Sequence, residues 1–156
     1  MSERFRVVPA AYIVFRRDDR GEDQILLQLR QGTGYMDGHW AVAAAGHVEA
    51  DESAVAAACR EAAEELGVTI KPNDLTPLTA IHRTGGNHQS IDERVDFFFE
   101  CRSWTGEPRL LEPEKAADLR WCPLDALPGP VVPHERFVFD HLRGGAVPPP
   151  ILTYGF

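Results

Sequence analysis

The chain has 156 residues with 24 acidic and 16 basic side chains, a formal charge of −8, 44% apolar residues and 26% charged ones. This fits one folded domain with a real core; no apolar run nears the roughly 20 residues of a membrane span, and charges interrupt the stretch a signal peptide would need in MSERFRVVPA, so a cytoplasmic location is expected. The acidic balance argues against gripping duplex nucleic acid by its phosphates, but bound divalent cations can invert local charge and keep phosphate chemistry open.

Residues 7–15 (VVPAAYIVF) are an apolar, β-branched and aromatic run of strand length. DDRGED at 18–23 leads into a second strand-like run at 25–29, which predicts a hairpin. QGTGYMDG at 31–38 carries three glycines and reads as a loop, and the short apolar segment 40–45 ends at Gly46. From 53 to 66 the period changes. Val55, Cys59, Ala62 and Leu66 fall on one helical stripe, with Asp51 or Ser53 as N-cap and Gly67 as the left-handed stop. Residues 76–84 read as a strand, GGNHQS at 85–90 as a loop, and VDFFFEC at 95–101 as a central strand. A short strand at 119–122 precedes a closing helix at 132–142, on which Phe137, Val138 and His141 share a face. The three consecutive prolines at 148–150 keep the end of the chain extended. The division is therefore a single domain over 1–143 and a Pro-rich tail over 144–156, with an α/β layered fold. The tail could pack on a partner chain as readily as on its own, which leaves a homodimer open. Cys59, Cys101 and Cys122 are scattered, with no CxxC pair, and read as reduced thiols rather than disulfides or zinc ligands.

Glu61, Glu64 and Glu65 stand at i, i+3 and i+4 on one face of the helix. Their mutual repulsion and the negative end of the helix dipole both disfavour them there. The plain alternative is a solvated acidic face with Arg60 paired to Glu64. Carboxylates on a rigid element between glycine-bounded loops are, however, what hard cations such as Mg²⁺ require.

The stretch 46–68, GHVEADESAVAAACREAAEELGV, resembles the signature of the Nudix hydrolases: Gly46, Glu52, Arg60, Glu61, Glu64, Glu65, Gly67 and Val68 all match. Ala62 departs from it, standing where a larger aliphatic is usual, and AVAAAG precedes the box where a Leu-Pro-Gly-Gly type of turn is frequent. The resemblance implies an α/β/α sandwich around a mixed β-sheet. It also implies Mg²⁺- or Mn²⁺-dependent cleavage of the diphosphate linkage of a small nucleotide, a nucleoside triphosphate or a nucleoside diphosphate joined to another moiety. Glu61, Glu64, Glu65 and the Gly46 carbonyl would hold the metal. Arg60 would orient a glutamate, and Glu52 and Gly67 would keep the box in shape. Which glutamate is the base is left open among them.

TGEPRLLEPEK at 105–115 resembles the Gly-Glu-Pro hairpin of mutator-type members, which makes Glu112 a further catalytic candidate, with Glu114 competing. The alternative is an exposed acidic loop paired with Lys115. Gly32, Gly34 and Gly38 suit a mobile loop better than a phosphate cradle, there being no P-loop lysine. Tyr35, His39 and Trp40 could stack on a base, with Trp40 the better core candidate. Arg83 and Arg94 could meet substrate phosphates or lie on the surface. Arg83 stands where ADP-ribose enzymes of the family carry proline, and Thr84, Gly85 and Gly86 occupy the place of the tyrosine of dinucleoside polyphosphate enzymes. Two alternatives to a pyrophosphohydrolase of small nucleotides are an ADP-ribose-type hydrolase and a non-catalytic nucleotide-binding sensor of the same fold. The intact glutamate set argues against the sensor. No cysteine precedes the box, against an isoprenoid diphosphate isomerase.

Overall fold

Alternation along the first strand organises two hydrophobic layers, as a computed structural model of residues 3–156 shows. In β1 (Val8–Asp19), Ala10, Tyr12 and Val14 enter one core and Ala11, Ile13 and Phe15 the other. A strand covered on both faces reads as a continuous apolar run, which is why residues 7–15 carry no polar alternation.

The remaining elements are β2 (Glu22–Arg30), β3 (Trp40–Val42), β4 (Ala44–His47), α1 (Ala54–Leu66), β5 (Leu75–Thr84), β6 (Glu93–Cys101), β7 (Ala116–Pro123), α2 (Pro133–Asp140) and β8 (Ile151–Tyr154). The sheet runs β3-β2-β1-β6-β5-β8, with β4 also on β1 and β7 also on β2. β6 runs parallel to β1 from Val8 to Phe15. The other edge of β1 is divided: Ala10 to Ile13 pair with β4, and Arg16 to Asp19 with β2. α1 covers the face of Ile13 and Phe15, and α2 covers the face of Tyr12 and Phe98. The result is the expected α/β/α sandwich on a mixed sheet.

Several boundaries differ from the sequence expectation for local reasons. The segment 40–45 is broken at Ala43 into β3 and β4, which pair with different strands. The closing helix begins only at Pro133, whose missing N–H suits a first turn. It buries His134, Glu135, Val138 and Phe139, not the expected face of Phe137, Val138 and His141. On α1 the fully buried residues are Ala57, Ala58, Ala62 and Leu66, while Val55 and Cys59 lie at the flank. Small residues at this contact let the helix sit close to β1 and β4, and the small residue at 62 belongs to it. The 144–156 segment joins the sheet: β8 lies parallel to β5, Tyr154 packs on Phe137 and Phe156 on His82. All three cysteines are free. Among the described residues no helix is long and apolar enough to cross a membrane.

α1 is closed at both ends. Ser53 Oγ accepts the Ala56 N–H at 3.0 Å, and Gly67, at φ 69°, donates its own N–H to the Ala63 carbonyl. Ser53→Ala, which removes the N-terminal acceptor, is expected to cost about 1 kcal/mol. The shift in denaturant midpoint at constant slope measures it.

Candidate active site

Arg60 ties the start of α1 to its acidic face. Its Nε and Nη2 donate to Glu52 at 2.7 and 3.0 Å, and Nη1 reaches Glu61 Oε1 at 2.8 Å and Glu64 Oε2 at 3.2 Å. Nη2 also donates to the His47 carbonyl at 3.1 Å, so one guanidinium joins the helix to the end of β4. This fork, helped by the Glu49 N–H, holds the Glu52 carboxyl down at about 2.

The three box glutamates separate. Glu61 and Glu65, one turn apart, turn toward β4, whereas Glu64 stays 56% exposed. Glu65 Oε2 accepts the Ala45 N–H at 3.0 Å. Glu61 lies over Gly46, where any Cβ would overlap its carboxylate. That close approach is a physical reason for glycine at 46, since its φ is unexceptional. Burial pushes the Glu65 carboxyl up to about 8 against the Ala45 N–H, with Glu61 and Glu112 adding repulsion. Burial also raises Glu61, against Arg60.

Glu112 and Glu65 line a cavity of about 390 Å³ together with Gln28, Arg30 and Gly32, and Glu112 pairs with Lys115 Nζ at 2.7 Å. Glu114 is exposed and stands outside it. Gly67 approaches Arg109 and Leu111, which follow the Gly-Glu-Pro turn. Glu61, Glu65 and the Gly46 carbonyl are all hard oxygen donors, and a cation would relieve the repulsion between the two carboxylates. The donor chemistry therefore fits Mg²⁺ or Mn²⁺. Among the described residues no three His, Cys, Asp or Glu side chains already form an ion shell, since Arg60 takes an oxygen from both Glu61 and Glu64.

A second cavity, of about 190 Å³, adjoins the first at Gln28, Arg30, Ala45 and Glu65 and ends against Tyr12, Arg83, Arg94 and Glu135. Arg83 and Arg94 are not surface residues: their side chains are 13% and 12% exposed. Trp40 is core, with the Arg120 guanidinium 4.7 Å over its ring, and Tyr35 stays exposed at the cavity rim. His39 borders neither cavity, nor do Gly34 and Gly38. Asp37 accepts the Thr33 and Gly34 N–H groups and pins that glycine loop.

Sequence reasoning misses Asp96, His134 and Glu135, all buried, of which Glu135 lines this second cavity. Asp96 had a signal, being the one charge inside the apolar run VDFFF; Glu135 on a short helix had none. Glu135 Oε1 accepts the Val42 N–H at 2.8 Å, and burial pushes its carboxyl from 4.5 up to about 8. The raised folded-state value means the native state holds this proton more tightly than the unfolded chain. Stability from it is complete below about pH 4.5 and is lost as pH rises through 8. Glu135→Gln, which cannot ionise, is therefore expected to lose less melting temperature than the parent between pH 6 and 9, as thermal scans across that range would show.

The model of the NUDIX domain matches residues 7–142. Among solved structures, the chain resembles a MutT NUDIX hydrolase from Burkholderia pseudomallei with a TM-score of 0.77 and 26% identity, over 88% of this chain and 98% of that one. A MutT protein from Bacillus halodurans aligns with a TM-score of 0.67 and 23% identity, over 95% and 87% of the two chains. The NUDIX domain of Shewanella oneidensis NrtR, solved with ADP ribose, aligns at 0.66 and 15% identity over 86% and 85%. No curated protein matches in sequence.

Proposed function

The chain belongs to the NUDIX family and is a Nudix hydrolase, and on that premise we propose that it cleaves the diphosphate linkage of a small nucleotide by attack of water on phosphorus, with Mg²⁺ or Mn²⁺ as cofactor. The observation that carries this reading is the pairing of Glu61 and Glu65 against the Ala45–Gly46 backbone, at the junction of two cavities.

Glu61, Glu65 and the Gly46 carbonyl would hold the cation, with Glu64 approaching from the exposed side. Bound there, a divalent cation offsets the substrate's charge, lowers the pKa of a water and stabilises the departing phosphate. Arg60, held from behind by Glu52, keeps the Glu61 carboxylate aimed at the β4 end. Glu112, half-buried and lining the same cavity as Glu65, would take the proton of the attacking water. The cavity rim at Tyr35 and the arginines beyond receive the rest of the nucleotide.

A panel of nucleoside triphosphates and nucleoside diphosphate conjugates, incubated with Mg²⁺ or Mn²⁺ and again with EDTA, tests the reading. Release of phosphate, diphosphate or a nucleoside monophosphate from at least one member, abolished by EDTA, is the expected result. Absence of release from every member would overturn it.

A further inference from the structure

Arg83 on β5 and Arg94 on β6 are direct cross-strand partners. Like charges placed so destabilise a sheet unless something compensates. Asp96, fully buried between them, compensates in part: its Oδ2 accepts from Arg83 Nε at 2.5 Å. Arg94 Nη2 is left 3.7 Å from Asp96 Oδ1, beyond hydrogen-bond length, and the buried Arg94 Nε and Asp96 Oδ1 have no partner. His134, 3.6 Å from Asp96, adds no balancing negative charge; burial and the two arginines hold its imidazole neutral, at about 2.

Two guanidiniums thus share one carboxylate. Arg30 brings a third to the same cavity, against Glu135. With every group ionised, Arg30, Arg83 and Arg94 balance Asp96, Glu135 and Glu65; with Glu65 committed to the cation the guanidiniums are in excess, in a chain whose formal charge is −8. A bridging water could satisfy the Arg94 Nε–H and Asp96 Oδ1 but would not offset that excess. An oxyanion in the cavity offsets it, and a planar guanidinium fork matches its geometry.

Register places this group relative to the acidic site. Ala10 of β1 pairs with His47 of β4 on one side and with Asp96 of β6 on the other. Between backbones, Asp96 therefore lies two strand spacings from β4, about 10 Å, with Arg94 two residues along the same strand and Arg83 one strand further. That is farther than two adjacent phosphates span and comparable with a diphosphate plus one sugar.

We infer that Arg83 and Arg94 form a second oxyanion subsite that selects substrates bearing an anionic group, a phosphate monoester or a carboxylate, on the sugar next to the diphosphate. The inference rests on the hydrolase reading and narrows its substrate class.

Two substrate pairs that differ only in this group test it: NADP⁺ against NAD⁺ for the phosphate, and UDP-glucuronate against UDP-glucose for the carboxylate. The parent is expected to show about ten-fold higher kcat/KM, or more, for the anionic member of one pair, and the pair concerned identifies the oxyanion. In Arg94→Gln that ratio falls toward one through KM of the anionic member, and in Arg94→Lys, which keeps the charge and loses the fork, it falls part of the way. Equal efficiencies in both pairs would overturn the inference, as would Arg94→Gln lowering both members of a pair alike. If the parent cleaves none of the four, the hydrolase reading still stands or falls on the wider nucleotide panel, and calorimetric binding of inorganic phosphate in EDTA decides the subsite by itself. Binding weakened at least about ten-fold by Arg94→Gln upholds it, and no binding by the parent overturns it.

Discussion

Glu65→Gln is expected to lower turnover by about two to three orders of magnitude, the range that loss of one preorganised electrostatic stabiliser of the transition state produces, while leaving the fold in place. The amide oxygen can still accept the Ala45 N–H, so the contact between α1 and β4 survives. What disappears is the negative charge beside Glu61, and with it half of the inward-facing carboxylate pair. Because burial raises the Glu65 carboxyl to about 8, the parent loses stability as pH rises through that value and the amide does not. The variant should therefore be at least as resistant to heat as the parent at pH 9. Near-parental kcat in Mg²⁺ would contradict the assignment; a collapsed melting transition would show that Glu65 serves the fold first.

Asp96→Asn is the substitution with the largest expected effect on stability. It keeps the volume and one acceptor for Arg83, but leaves two buried guanidiniums without a counter-charge. Breaking a buried ion pair from one side costs about 3–5 kcal/mol, which for a domain of this size lowers the melting temperature by on the order of 10 °C. Denaturant unfolding of parent and variant in a buffer free of phosphate reads the loss directly. A cost below about 1 kcal/mol would mean that Asp96 is not what holds Arg83 and Arg94 in place.

The sequence made the acidic helix readable because its chemistry is local. The spacing of Glu61, Glu64 and Glu65, the cap at Ser53 and the stop at Gly67 all lie within one helix and its ends, where intrachain periodicity governs position. It could not show that Glu64 turns outward while Glu61 and Glu65 turn inward. That follows from where β4 runs, and β4 is set by the division of one edge of β1 between two strands. The arginine and aspartate cluster was less readable still. Arg83, Arg94 and Asp96 meet only because β5 and β6 pair in one register, and His134 and Glu135 join them from a helix some forty residues further along. Arg83 and Arg94 look like ordinary surface residues in the sequence for the same reason: their burial depends on partners far away in the chain. The helix interface was legible in kind but not in phase. A stripe led by Val55 and Cys59 gives way to Ala57 and Ala58, since close contact with the sheet favours small side chains.

Hydrolysis in isotopically labelled water tests the central claim most directly. With Mg²⁺ or Mn²⁺ and a nucleotide that the enzyme cleaves, one heavy oxygen is expected in a phosphate-bearing product and none in a released sugar or nucleoside hydroxyl, and the reaction should stop in EDTA. Label in a non-phosphate product, or an undiminished rate without the divalent cation, would contradict metal-dependent attack on phosphorus at the Glu61–Glu65 site.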